Sequence, residues 1–244
     1  MLGTTLDNRY FLEQELRRSG HAVLYLATDE TNGEMLAVRV LPGATLEGTR
    51  ALRYLRAAEH FATLEHRHLL LPRLTAPYEA GVFQVLPYFP GESLLELLRK
   101  GPLPPEEGVP VLRQVAQALE ALHRVGVAHL NLKPANVLVS REEGVVQAVL
   151  ADPVQHWLRP ETALDVVESA FRAPEQAPWL EGPVDERSDF YALGMLAYPL
   201  LTGRMAVAGG DVRQIFHHHW TTSPPGLRAL DAALPQRLSA TVTR

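Results

Sequence analysis

The densest run of ligand-type side chains in this sequence is His217-His218-His219, well inside the chain. Imidazoles bind transition metals, but consecutive residues of a helix point in different directions, so these three do not converge on one ion. The spacing predicts an exposed helix face instead. There is no cysteine, which removes disulfides, thiolate nucleophiles and cysteine-type zinc sites together. A second concentration of polar groups is His129-Leu130-Asn131-Leu132-Lys133-Pro134-Ala135-Asn136-Val137-Leu138, which holds one of only two lysines.

The elements that must position these groups change character along the chain. Tyr10 to Leu16, Val23 to Thr28 and Met35 to Leu41 are short runs rich in β-branched or aromatic residues and read as strands, with a turn over Asp29 to Glu34 marked by Asn32-Gly33. Leu52 to Leu64 has apolar residues at helical spacing. Two more strand-like segments follow, Leu70 to Tyr78 and Gly81 to Tyr88. After Pro90-Gly91 the pattern turns helical: Ser93 can cap a helix through Arg99, and Pro104-Pro105 starts an amphipathic helix over Glu106 to Val125. Val145 to Leu150 reads as a strand, and Ser188 to Leu201, Asp211 to His219 and Leu227 to Leu234 as helices.

The bulk numbers set outer limits. A chain of 244 residues is long enough for one large domain or two small lobes with real cores. A net charge of -5 without a long basic run argues against nucleic acid as a partner. No apolar stretch reaches the length of a membrane span, and Met1 to Arg9 lacks the apolar run of a signal peptide. The expected location is the cytoplasm, or the cytoplasmic side of a larger membrane protein.

The order of motifs resembles bacterial Hanks-type serine/threonine protein kinases. The strongest match is the segment His129 to Leu138, which looks like the catalytic loop, with Asn131 where the family has aspartate. Leu36-Ala37-Val38-Arg39 looks like the lysine-bearing strand, Tyr10 to Ala27 like the strands around the glycine-rich loop, and Ala173-Pro174-Glu175 like the end of the activation segment. Asp189-Phe190-Tyr191-Ala192-Leu193-Gly194 looks like the central helix of the C-lobe. The resemblance implies an α+β, bilobal protein-kinase-like fold: a β-rich N-lobe over residues 1–89 and a mostly helical C-lobe over 90–244, one kinase-like domain overall. The stretch after Gly203 is short for the family, so the C-lobe is either abbreviated or completed by something else. An abbreviated lobe would leave Leu227, Leu230 and Leu234 exposed, which favours a protein partner or a homodimer.

Carried over residue by residue, the resemblance implies degenerate positions. Arg39 replaces the ATP-pairing lysine, and guanidinium is no neutral substitute for ammonium. The helix glutamate that orients that lysine falls on Ala57, with Glu59 two residues away. Asn131 cannot accept a hydroxyl proton as the aspartate does. Arg17-Arg18-Ser19-Gly20-His21-Ala22 keeps a single glycine in the phosphate loop. Asp152-Pro153-Val154 keeps the metal-binding aspartate, and Asn136 the second metal ligand. Leu24, Ala37 and Leu138 are remnants of the adenine sandwich, Leu86 takes the gatekeeper position, and Lys133 is a further cofactor-binding remnant. His129 and Asp189 are structural, and Glu175 would pair with Arg237. Thr162 and Ser169 are the hydroxyls of the activation segment, and Trp157 an aromatic anchor there.

From these positions the expected function is that of a catalytically inactive pseudokinase, not an enzyme, with no resident cofactor or metal. It would act as a scaffold or regulator that binds another protein, such as an active kinase or a phosphopeptide-binding protein. Two alternatives stand beside it: a nucleotide-binding switch holding ATP with magnesium on Asp152 and Asn136, and a weak or atypical serine/threonine kinase.

Overall fold

The computed structural model describes residues 1–19, 22–44, 48–153 and 164–242. The chain divides into two compact units. The first holds Met1–Glu65 and Leu70–Pro90; the second holds His66–Leu69, Gly91–Pro153 and the described residues from 164 onward.

The first unit is built on an antiparallel sheet. Its strands are β1 (Thr5–Leu6), β2 (Tyr10–Ser19), β3 (Ala22–Asp29) and β4 (Met35–Pro42), followed by helix α1 (Gly48–Phe61). After β5 (Leu69–Leu70), which joins another sheet, come β6 (Leu74–Tyr78) and β7 (Gly81–Pro87). The strand order is β1-β2-β3-β4-β7-β6. β3 shows why the sequence forms this sheet: Val23, Tyr25, Ala27 and Asp29 are buried and alternate with less buried residues, the period-two pattern of a strand with one covered face. The covered face packs Leu12, Tyr25, Val38, Val40, Phe83 and Val85 into one apolar cluster. The turn after β3 closes where Asn32-Gly33 predicts it. Gly33 has φ +76° and its N–H donates to the Asp29 carbonyl at 2.7 Å. The buried Asp29 carboxylate also accepts from the Arg9 guanidinium and from Thr31, which holds it well below the usual carboxylate range.

The second unit is mainly helical, with a sheet in which Glu92–Ser93, Val137–Glu142 and Val145–Ala151 lie side by side in that order, each pair antiparallel. It comprises β8 (Glu92–Ser93), α2 (Leu94–Lys100), α3 (Pro105–Arg124), β9 (Val137–Glu142), β10 (Val145–Ala151), α4 (Val166–Ser169), α5 (Arg187–Thr202), α6 (Val212–Thr221), α7 (Leu227–Leu230) and α8 (Gln236–Val242). Pro105 starts α3 at a position where its missing N–H costs nothing, and Val111, Val115, Ala118, Leu119 and Leu122 line its buried face. α3 lies against α5 so closely that a Cβ on Gly108 would come within 2.7 Å of the Leu201 side chain. α5 ends at Gly203, φ +68°, whose N–H donates to the Pro199 carbonyl at 3.1 Å.

Three expectations need correction. Leu227 and Leu234 are fully buried and Leu230 packs against the same core, so the proposed exposed apolar face does not exist. The helix expected across Leu227 to Leu234 stops at Leu230, and Pro235 lets a new one start at Gln236. The histidine triplet is not a uniformly exposed face. His217 is exposed, but His219 is buried against Tyr191 Oη at 2.6 Å and the Ser169 carbonyl at 3.1 Å.

Ser93 caps α2 as the sequence predicts, through a reciprocal capping box. The Glu96 N–H donates to Ser93 Oγ at 3.3 Å and the Ser93 N–H to the Glu96 carboxylate at 2.9 Å. Ser93→Ala is expected to lower stability by about 1 kcal/mol, measured by urea unfolding. An unchanged midpoint would show that the cap contributes nothing.

Candidate active site

The segment that carries most of the candidate chemistry is held by one buried carboxylate. Asp189, in the first turn of α5, accepts the backbone N–H of His129 at Oδ2 and that of Leu130 at Oδ1, each at 2.7 Å. His123, in the last turn of α3, lies 2.8 Å from the same Oδ2. These contacts hold Leu130 at φ +56°, a left-handed conformation that strains a branched side chain by roughly 1–3 kcal/mol. Gln176 completes the restraint by donating to the Leu130 carbonyl at 3.1 Å. Fully buried His129 sets its ring beneath the loop: Nε2 lies 2.9 Å from the Ala151 carbonyl, and Nδ1 accepts from the Asn131 N–H at 3.2 Å. The structural roles expected of His129 and Asp189 are met.

The next shell joins the polar side chains to one another. Asn131 Nδ2 donates to the Asp152 carbonyl at 3.3 Å, and Asn136 Nδ2 donates to the Asn131 carbonyl at 2.8 Å. Asp152 is itself left-handed, φ +68°. Asn131, Asn136 and Asp152 thus form one connected group at the ends of β9 and β10. Lys133 is nearly buried and pairs with Glu168 of α4. Asn131, Lys133 and Glu168 line one small cavity of about 10 Å³, the room of a single water molecule.

In the first unit Arg39 lies on β4, opposite Gln84 of β7, and donates to Gln84 Oε1 at 3.3 Å. Gln84 is completely buried and its Nε2 donates to Tyr54 Oη at 2.5 Å and to Thr75 Oγ1 at 3.2 Å. Ala57 is buried on α1, one turn from Tyr54, whereas Glu59 is exposed. A neutral amide and a phenol thus belong to the polar network around Arg39. The sequence reading passed over Gln84, although a lone amide within Val82-Phe83-Gln84-Val85-Leu86 was a signal, because a buried polar group needs partners. It also passed over His123, Gln176 and Glu168. Leu24, Ala37 and Leu86 belong to the first unit and Leu138 to the second. Glu175 accepts from Ser188 Oγ at 2.5 Å, so Ser188 takes the part expected of Arg237. Ser169 is buried and donates to the Asp165 carbonyl, out of reach of a modifying enzyme. Gly20, His21, Val154, Trp157 and Thr162 lie outside the described residues.

The donor set suits a hard cation. Asn136 spends its amide hydrogen on the loop and keeps Oδ1 as an acceptor, and Asp152 offers a carboxylate. Magnesium needs one or two protein oxygens, with phosphate oxygens and water filling the rest. Among the described residues no group of three or more histidine, aspartate and glutamate side chains forms an all-protein metal cage.

This geometry and fold define a protein kinase domain, and a family model of that description matches residues 12–239. The chain belongs to the protein kinase domain family. Serine/threonine-protein kinase pkn2 of Myxococcus xanthus is 32% identical over 241 residues, covering 94% of this chain and 28% of its own length. Serine/threonine-protein kinase PknL of Mycobacterium tuberculosis is 31% identical over 246 residues, covering 95% of this chain and 59% of its own length. The chain thus spans less than two thirds of either relative. In fold, it matches a crystal structure of the Mycobacterium tuberculosis PknI kinase domain with a TM-score of 0.76 at 24% identity, over 100% of this chain and 89% of the other. The α+β kinase fold expected from the sequence is the observed one.

The family overturns one expectation. The degenerate positions suggested a chain that is not an enzyme. A kinase domain whose relatives are named as serine/threonine kinases over nearly its whole length points to an enzyme. The physical flaw lay in equating changed residue types at Arg39, Ala57, Asn131 and the phosphate loop with loss of activity. Phosphoryl transfer passes through a loose transition state in which positioning and electrostatics do most of the work. Among the described residues no helix is long and apolar enough to cross a membrane.

Two outcomes follow from the polar networks. Gln84→Ala opens a cavity and strips Tyr54, Thr75 and Arg39 of a partner. It is expected to cost about 2–4 kcal/mol in urea unfolding, while Tyr54→Phe costs about 1 kcal/mol; equal small effects would refute the network. The second outcome concerns pH. Burial, the largest cause in each case, lowers the values of His68, His129 and His219 below the ordinary imidazole range near 6.5. The unfolded chain therefore takes up protons first as pH falls. The stabilisation from keeping these rings neutral is complete above about pH 6.5 and is lost as pH drops through the folded values. The urea midpoint is expected to fall between pH 7.5 and 5.5; a flat or rising midpoint contradicts this.

Proposed function

We propose that this chain is an atypical serine/threonine kinase domain that binds ATP with a divalent cation and transfers its γ-phosphoryl group slowly to a serine or threonine hydroxyl. One observation carries the reading. The strained loop over Leu130 to Asn136 is fully anchored by Asp189, and Asn131 and Asn136 tie it to Asp152. Strain of that kind persists only where surrounding structure over-determines it, and it concentrates at functional sites. Asp152 and Asn136 would hold the cation, which when bound neutralises charge on the phosphates. Asn131 would accept or donate a hydrogen bond at the acceptor hydroxyl and orient it. Lacking a base at that position costs on the order of 10² to 10⁴ in rate, which leaves a slow enzyme. Membership of the protein kinase family and the names of the relatives support the same reading.

The test uses the purified chain with labelled ATP and a generic serine/threonine-rich protein substrate, alongside thermal unfolding. ATP with magnesium at a hundredfold excess over its Kd is expected to stabilise the fold by about 2.7 kcal/mol, and label is expected on serine or threonine. Asp152→Asn should reduce both the metal-dependent part of the stabilisation and the transfer. A melting temperature indifferent to ATP, with no label transferred, would refute the proposal.

A further inference from the structure

The loop amide leaves the acceptor hydroxyl without a proton acceptor, and the same cavity supplies another. We infer that Glu168 takes the proton from the acceptor hydroxyl. This rests on the slow-kinase reading above and names the group that performs its missing step.

Two carboxylates line the cavity beside Asn131 and Lys133, those of Asp189 and Glu168. Asp189 has its side chain 1% exposed and spends its oxygens on His123, His129 and Leu130. It is a fixed structural acceptor. Glu168 differs in the respects that matter to a base. Its side chain is 25% exposed, so a substrate hydroxyl and bulk water can reach it. Its partner Lys133 stands two residues from Asn131 on the anchored loop. A base must be held within hydrogen-bond reach of the proton it removes, and the ion pair with Lys133 fixes Glu168 at the cavity wall.

The backbone beneath Glu168 is equally constrained. Asp165 caps α4 by accepting the Val167 N–H at 2.8 Å, and Ser169 Oγ and N–H both donate to the Asp165 carbonyl, at 2.8 and 2.9 Å. The Ser169 carbonyl lies 3.1 Å from buried His219. Ala170 and Phe171, directly after α4, are core residues. Four contacts on the residues flanking Glu168 thus present its side chain from a rigid base, which is what a preorganised group requires.

The acceptor oxygen forms a bond to the γ-phosphorus of ATP while its proton passes to a Glu168 carboxylate oxygen. The bond from the γ-phosphorus to the β–γ bridging oxygen breaks, and its electron pair leaves with ADP. The protonated Glu168 returns the proton to solvent through its exposed edge.

The experiment compares wild type, Glu168→Gln, and Glu168→Gln combined with Asn131→Asp, in labelled-phosphate transfer across pH and in calorimetric ATP titration. Glu168→Gln should lower kcat on the order of 10²-fold or more and remove the acidic limb of the kcat profile, with ATP affinity unchanged. Adding Asn131→Asp should return a carboxylate to the loop and restore both rate and limb, which repair of folding alone would not do. Transfer by Glu168→Gln equal to or faster than wild type would overturn the inference; a faster rate would mean the ion pair obstructs Lys133. Loss of rate that Asn131→Asp fails to restore would also overturn it, as purely structural. No transfer by the wild type would fail the kinase reading itself and the inference with it, a result distinct from the others.

Discussion

The buried carboxylate of Asp189 governs the second unit. A carboxylate out of water needs partners for its charge, and this one draws them from the backbone of His129 and Leu130 and from the ring of His123. Because two of those partners are main-chain donors, the arrangement fixes main-chain geometry. Leu130 is forced left-handed, its carbonyl turns to Gln176, and the next side chain, Asn131, is delivered to the carbonyl of Asp152. The helical core around α3 and α5 matters to function because it keeps Asp189 and His123 where this arrangement is the lowest in energy.

The first unit answers a similar demand with neutral chemistry. Arg39 lies in a sheet whose covered face is apolar, yet the residue across from it is Gln84 and the nearest helix contributes Tyr54. An amide can accept from the guanidinium with its oxygen and donate with its nitrogen, so one buried side chain links Arg39, Tyr54 and Thr75 together. The amide contributes to orienting the guanidinium without itself bringing a second full charge out of water, where desolvation is costly. The price is that the network is only as good as its weakest geometry, and Gln84 is the member all the others share.

Much of this was legible in the sequence. The alternation in Val23 to Thr28, the Asn32-Gly33 turn, the Ser93 cap and the Pro105 start each encode a local backbone choice, and local choices can be read from local residues. The motif residues Asn131, Asn136, Asp152 and Asp189 were legible by their order along the chain. What escaped were partners distant in sequence. Gln84 meets Tyr54 across 30 residues, and Lys133 meets Glu168 across 35. The leucines at 227, 230 and 234 were misjudged for the same reason: their exposure depends on what packs over them, and the core that covers them comes from distant helices. His219 shows the limit within a single element, since its burial is set by Tyr191 and Ser169 and not by its neighbours in the triplet.

Asn131 departs from the residue its motif carries in chemistry more than in shape. Replacing a carboxylate by an amide removes a proton acceptor but keeps the shape and much of the hydrogen bonding, and Asn131 uses its amide to bind Asp152 to the loop. A loose phosphoryl-transfer transition state asks first for aligned groups and compensated charge, and only then for a place to put a proton. Alignment here depends on contacts that do not involve the carboxylate that is absent: Asp189 to the loop, His129 to Ala151, Asn136 to Asn131. In the reading proposed above, the proton then passes to the partly exposed carboxylate of Glu168 at the same cavity. That division separates the scaffold, which the motif residues build, from the acid–base chemistry, which can move to another side chain without disturbing it.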